Sequence, residues 1–216
     1  MNTFCPATER QQIIFLRDAF YKLVNYYKEA LNETNDLIGN TQDGFIHLNN
    51  HSQGASMTKK AFQDYYPDYF SHCYGCGRLN EHGLQIKSYW DGEETICTHE
   101  PKDYHSAVPG YVYGGLIASL IDCHSMGTAA AAKYRAENRE MGTEPALRFM
   151  TASLHVDYLL PTPISGPLEI RSKVKEVKGR KVVVESRLIA GGKVCARGEV
   201  VAVQVPENMM PADTEK

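Results

Sequence analysis

Residues 114–137 constrain the fold more than any other part of the chain. Leu116, Ile117, Ala118, Leu120, Ile121, Met126 and the run from Ala129 to Ala132 leave this stretch without a polar face. A helix that is apolar nearly all round must be enclosed by the rest of its domain. Strand patterns lie on both sides of it. Residues 84–90 and 93–100 read as two strands with a turn at Asp91-Gly92. Downstream, Leu168, Ile170 and Val174 alternate with Glu169, Arg171, Lys173 and Lys175, the period of a half-solvated strand. Residues 182–190 and 194–205 continue the series, with turns at Gly179-Arg180 and Gly191-Gly192. Strands before and after one buried helix predict an α+β fold, an antiparallel sheet of five to six strands curled around that helix.

The preceding part of the chain has a different texture. In residues 6–34, Ile13, Leu16, Phe20, Leu23, Tyr27 and Ala30 recur at spacings of three and four, and Thr8-Glu9-Arg10-Gln11 has the form of a capping box. This predicts an amphipathic helix. Residues 35–57, rich in Asn, Asp, Gly, His, Ser and Gln, read as a linker, and a short helix is expected over residues 59–66. The expected organisation is an N-terminal helical extension and linker over 1–70, a main domain over 71–206 and a flexible tail over 207–216.

Charge narrows the partners. Lys and Arg number 23 against 26 Asp and Glu, a net charge of −3, which provides no basic field for a phosphate backbone. Nucleic acid is therefore not an expected partner. Nor is a membrane, since no apolar run approaches the roughly 20 residues of a bilayer span. Met1-Asn2-Thr3-Phe4-Cys5 lacks the basic and apolar regions of a secretion signal, so a cytoplasmic location is expected. The six cysteines, 5, 73, 76, 97, 123 and 195, are scattered and expected to be reduced.

Two features carry chemistry. The buried helix opens with Gly114-Gly115. The first amides of a helix have no internal acceptor and lie at the positive end of its dipole. Glycines there allow close approach of a ligand, and such amides stabilise an oxyanion. The second feature is Asp122, a lone acid inside the apolar helix. A buried carboxylate must be paired, protonated or open to a cavity.

Other residues fit quieter readings. Cys73 and Cys76 form one C-x-x-C with no second pair after it, so a tight turn is expected rather than a metal site. His124, two residues past Asp122, points to another side of the helix and reads as structural. His105, in the loop before the helix, is placed to reach a ligand at the helix start. The small residues Ala129 to Ala132 fit either room for a ligand tail or close packing.

Taken together, several segments resemble a known family. Cys73-Tyr74-Gly75-Cys76-Gly77 with Asn80 and Gly83-Leu84 is similar to the opening of the hotdog-fold thioesterase superfamily. Pro109-Gly110-Tyr111-Val112-Tyr113-Gly114-Gly115, followed by Leu120-Ile121-Asp122, resembles its loop and helix, and residues 151–158 with Pro161 and Pro163 resemble its next strand. The likeness runs from 73 to 205, and its motifs together are fairly specific for the phenylacetyl-CoA thioesterase-like and human mitochondrial thioesterase-like branches. It implies a hotdog fold and hydrolysis of an acyl-CoA without metal or organic cofactor.

By the same resemblance, Asp122 falls on the catalytic carboxylate, Gly115 on the oxyanion-hole amide and Thr151 on the hydroxyl that assists the attacking water. From their positions at the helix start and in the loop before it, Gly114 and His105 are expected beside the bound substrate. Gly179-Arg180-Lys181 resembles the hairpin that meets the coenzyme phosphates, which assigns Arg180 and Lys181 to binding. The family usually carries His-Gly-Gly where this chain has Tyr113-Gly114-Gly115; the Tyr113 hydroxyl remains a hydrogen-bond donor. Ala152, Leu154, Val156 and Tyr158 form the apolar face of the next strand, so Thr151 faces away from it unless a bulge intervenes.

Gly115 and Asp122 are seven residues apart, roughly 10 Å along a helix axis at about 1.5 Å per residue. A reacting group must come within about 3 to 3.5 Å of its target atom. One helix hardly serves both ends of one thioester, whereas antiparallel helices of two protomers do. A homodimer or dimer of dimers is therefore expected. Both covalent attack and general-base activation of water fit Asp122. The alternative readings are a non-catalytic acyl-thioester-binding protein, which Tyr113 favours, and a hydratase, which Tyr113 disfavours by replacing the usual histidine.

Overall fold

The computed structural model describes residues 60–206; the expected N-terminal helix, the linker over 35–57 and the C-terminal tail lie outside the described residues. The apolar stretch forms one helix, α1 (Gly114–Ala136), with 14 of its residues buried. Leu120 and Ile121 have no exposed surface, and burying such a side chain contributes about 1.5–3 kcal/mol. The helix stops through local chemistry. Asn138 takes a positive φ of 53°, its N–H donates to Arg135 O, and Arg139 N–H donates to Tyr134 O. These two bonds cap the last carbonyls.

Six strands surround α1: β1 (Ser88–Asp91), β2 (Glu94–His99), β3 (Phe149–Tyr158), β4 (Leu168–Lys178), β5 (Lys181–Ala190) and β6 (Lys193–Gln204). They form one sheet in the order β1-β2-β4-β5-β6-β3, and every neighbouring pair is antiparallel. The α+β hotdog architecture expected from the sequence is thus what the chain adopts. Leu116, Ile117, Leu120 and Ile121 pack against Ile170, Leu188, Ala196 and Val200 in the main core. Ala129 and Ala130 meet Phe149, Val182, Val184 and Ala202 in a second cluster, where small side chains permit close helix–sheet packing.

Two expectations are revised. The short helix near residue 60 is a 3-10 turn, Phe62–Tyr65. The strand expected over residues 84–90 starts only at Ser88, because the preceding segment spends its backbone bonds elsewhere. Leu84 N–H donates to Tyr74 O and Ile86 N–H to Gly75 O, while Gln85 sits at φ 47°.

The strand β3 lies at the open end of the sheet and bonds only β6. Its ten residues include Met150, Leu154 and Tyr158, all exposed, Met150 at 63%. Long apolar edges are templates for pairing with another strand.

Candidate functional site

The start of α1 forms one half of the site. Tyr113 is the helix N-cap residue and makes no side-chain capping bond, so the amides of Gly114 and Gly115 keep their outward orientation. The Tyr113 ring folds over Gly115 so closely that a methyl group there would overlap it. Tyr158 Oη donates to Gly114 O at 2.9 Å, and Ser119 Oγ donates to Gly115 O at 2.8 Å. His105, Tyr113, Gly115 and Ser119 line one cavity of about 460 Å³. The loop is held there by Tyr113 N–H donating to His105 O at 2.8 Å. The His105 Nδ1 accepts from Lys102 N–H at 3.1 Å. Burial first, and the nearby Lys102 charge second, hold its pKa below the ordinary histidine value.

Asp122 forms the other half, two turns further along. It lines a separate cavity of about 310 Å³ with Thr151, Cys73, Cys76, Cys123 and Arg148. Thr151 Oγ1 donates to Asp122 Oδ1 at 2.6 Å. This contact depends on a bulge. The register of β3 against β6 shifts between Thr151 and Ser153, so Ala152 is an extra residue and the side-chain alternation resets there. The condition under which Thr151 faces α1 is thereby met. Burial raises the Asp122 pKa above its ordinary value; the Thr151 hydrogen bond offsets part of the rise and the nearby Cys73 adds to it.

Arg180 and Lys181 stand apart from both cavities. Arg180 donates through Nε and Nη2 to Gln204 O at 3.0 and 2.8 Å, and Lys181 pairs with Glu176 at 2.7 Å. His124 is fully buried, bonded to Ser88 Oγ at 2.8 Å and Thr95 Oγ1 at 3.2 Å. Burial pushes its pKa down to about 4, so it is a neutral core residue, as its position two residues from Asp122 had implied.

Four site residues escaped the sequence reading: Ser119, Cys123, Arg148 and Tyr158. Ser119 alone left a signal, four residues past Gly115 and so on the same helix face. Arg148 and Tyr158 reach the site only through tertiary packing, and Cys123, next to Asp122 on the helix, meets Cys73 in the same way.

A model of the thioesterase superfamily matches residues 109–202. A solved structure of a thioesterase superfamily protein from Shewanella loihica PV-4 is 50% identical, covers 64% of this chain and 98% of its own, and superposes with a TM-score of 0.50. An acyl-coenzyme A thioesterase THEM4 from Xenopus laevis is 34% identical over 93 residues, 43% of this chain and 36% of its own length. The Mus musculus protein of the same name is 34% identical over 104 residues, 47% of this chain and 39% of its own. The chain thus matches well under half the length of these two curated relatives. No helix among the described residues is long and apolar enough to cross a membrane.

Proposed function

This chain belongs to the thioesterase superfamily, and on that premise we propose that it hydrolyses the thioester of an acyl-CoA to the free acid and coenzyme A. The observation that carries the reading is the Asp122 carboxylate, kept inside an apolar helix, open to a cavity and bonded to Thr151 at 2.6 Å. Burying an acid costs stability, so its retention fits use in chemistry. The names of the THEM4 relatives supply the substrate class.

The thioester carbonyl sits at the Gly115 amide of one protomer, where the helix dipole and N–H stabilise the developing oxyanion. Asp122 of the other protomer takes a proton from the attacking water, which Thr151 helps to orient. General-base action is favoured over covalent attack because a raised pKa brings the carboxylate nearer to working pH. Tyr113 donates a hydrogen bond near the thioester, and Gly114 and His105 line the acyl entry. Met126, Ala130 and Phe149, which wall the Asp122 cavity, receive the acyl chain. Arg180 and Lys181 meet the coenzyme phosphates, releasing Gln204 and Glu176 as they do. We assign the assembly to a homodimer, or a dimer of dimers, joined through the β3 edges, and its work to the cytoplasm, whose reducing poise suits the five described free thiols.

The test is thiol release from short, medium, long and aromatic acyl-CoAs by the wild type and by Asp122→Asn. At least one substrate should turn over, and Asp122→Asn should lower kcat by at least about 10²-fold with little change in KM. Tight binding of acyl-CoA without turnover by the wild type would identify a binding protein instead.

A further inference from the structure

The three thiols beside Asp122 take no part in the proposed hydrolysis, yet the fold assembles them with care. Cys73 and Cys76 lie in a turn closed by Gly77 N–H donating to Cys73 O at 2.8 Å. Cys123 arrives from α1, 50 residues later, and its Sγ lies 3.7 Å from that of Cys73. The three sulfurs all lie within 4.8 Å of one another.

Two glycines make the arrangement possible. A methyl group at Gly75 would overlap the Cys123 Sγ, and one at Gly77 would lie 2.5 Å from the Cys73 backbone N and O. The turn therefore accommodates both its own tight closure and a sulfur arriving from another element.

We propose that Cys73, Cys76 and Cys123 form a binding site for one soft divalent cation, of which zinc is the first choice. Tetrahedral zinc holds thiolates at about 2.3 Å, which separates neighbouring sulfurs by roughly 3.8 Å. The Cys73–Cys123 separation already matches, and closing the third sulfur onto the ion needs a shift of about 1 Å or less. Binding displaces the thiol protons to solvent. Three thiolates and a dication leave one negative charge, next to the Arg148 guanidinium that lines the same cavity. The fourth coordination position is left for solvent from that cavity. The ion ties the segment before the sheet to the middle of α1 at the residue after Asp122, so its role is to fix that wall of the cavity. The site is independent of the hydrolysis reading, and its test does not use activity.

The experiment loads the reduced full chain with Zn²⁺, and separately with Co²⁺, and removes excess metal by gel filtration. Expected are one bound ion per chain, a near-ultraviolet thiolate-to-cobalt charge-transfer band, and protection of three thiols from a disulfide reagent. Cys73→Ser, Cys76→Ser and Cys123→Ser should each weaken or abolish the cobalt band, while Cys195→Ala should retain it. Should a serine variant fail to fold, thiol protection in the wild type still decides the matter. Failure to retain metal, a cobalt spectrum without the charge-transfer band, or a Cys73–Cys123 disulfide persisting in reductant with metal present would each overturn the proposal.

Discussion

At its start α1 presents unpaired backbone amides beside His105 and the rings of Tyr113 and Tyr158. Two turns further along, the same helix presents a carboxylate with its hydroxyl partner and three thiols. The first cavity can hold an oxyanion but has no carboxylate; the second has the Asp122 carboxylate but no free helix amides. Neither holds both of the groups to which the proposed hydrolysis is assigned. The separation of about 10 Å follows from helix geometry, so no side-chain rearrangement within one protomer removes it. What the contrast teaches is that the proposed mechanism calls for a functional unit larger than the folded chain. The open edge of β3, bearing the apolar residues Met150, Leu154 and Tyr158, is where a second copy would join.

Breaking that junction should have the largest effect. Leu154→Asp places a charge on the pairing edge without touching either cavity, as edge strands do to prevent association. Thiol release should fall to background and light scattering should report monomers; a fully active monomer would contradict the two-protomer site.

Asp122→Asn sharpens the contrast through its pH dependence as well as its loss of turnover. The acid limb of the wild-type kcat profile should lie above the ordinary carboxylate range, because burial raises this pKa. The raised value also fixes the sign of the stability change. The ionised carboxylate costs nothing below its ordinary pKa, costs more as pH rises toward the raised value, and costs most above it. Asp122→Asn should therefore raise Tm at neutral pH and lose that gain in acid. A lower Tm with turnover intact would mean that the aspartate is structural.

The two halves were not equally readable from the sequence. The helix, its glycine start and its lone acid were plain, because an uninterrupted apolar stretch leaves a composition signal. The sheet was legible wherever alternation was regular, as along Leu168, Ile170 and Val174. The Thr151 side chain was different: a single inserted residue at Ala152 re-aims it, and a bulge leaves no mark in composition. Cys123 read only as one of six scattered cysteines, since its partner Cys73 lies 50 residues away. Residues 84–87 had strand composition, yet their amides went to the turn at Cys73–Gly77 instead of a neighbouring strand.

Thr151→Val removes the donor to Asp122 while keeping the β-branched shape. A loss of about tenfold in kcat is expected, within the reach of one charge-assisted hydrogen bond of roughly 1.5 kcal/mol. Because that bond lowers the Asp122 pKa, the acid limb should also move to higher pH; an unmoved limb would separate Thr151 from the carboxylate in function. Tyr113→Phe, at the other cavity, should have the smallest effect, less than about tenfold in kcat, as for one neutral hydrogen bond. Complete inactivity would make Tyr113 an essential acid.

The most direct measurement mixes two inactive variants. In Asp122→Asn the amide half is intact; in Gly115→Pro the carboxylate half is intact and the amide is gone, with the exposed Tyr113 ring free to swing away from the new side chain. Unfolding and refolding the two variants together lets mixed dimers form, each holding one site with both halves native. Random pairing should restore about a quarter of wild-type turnover. Mixed dimers formed in the expected proportion but without activity would place both halves of the site in one protomer and contradict the two-protomer arrangement.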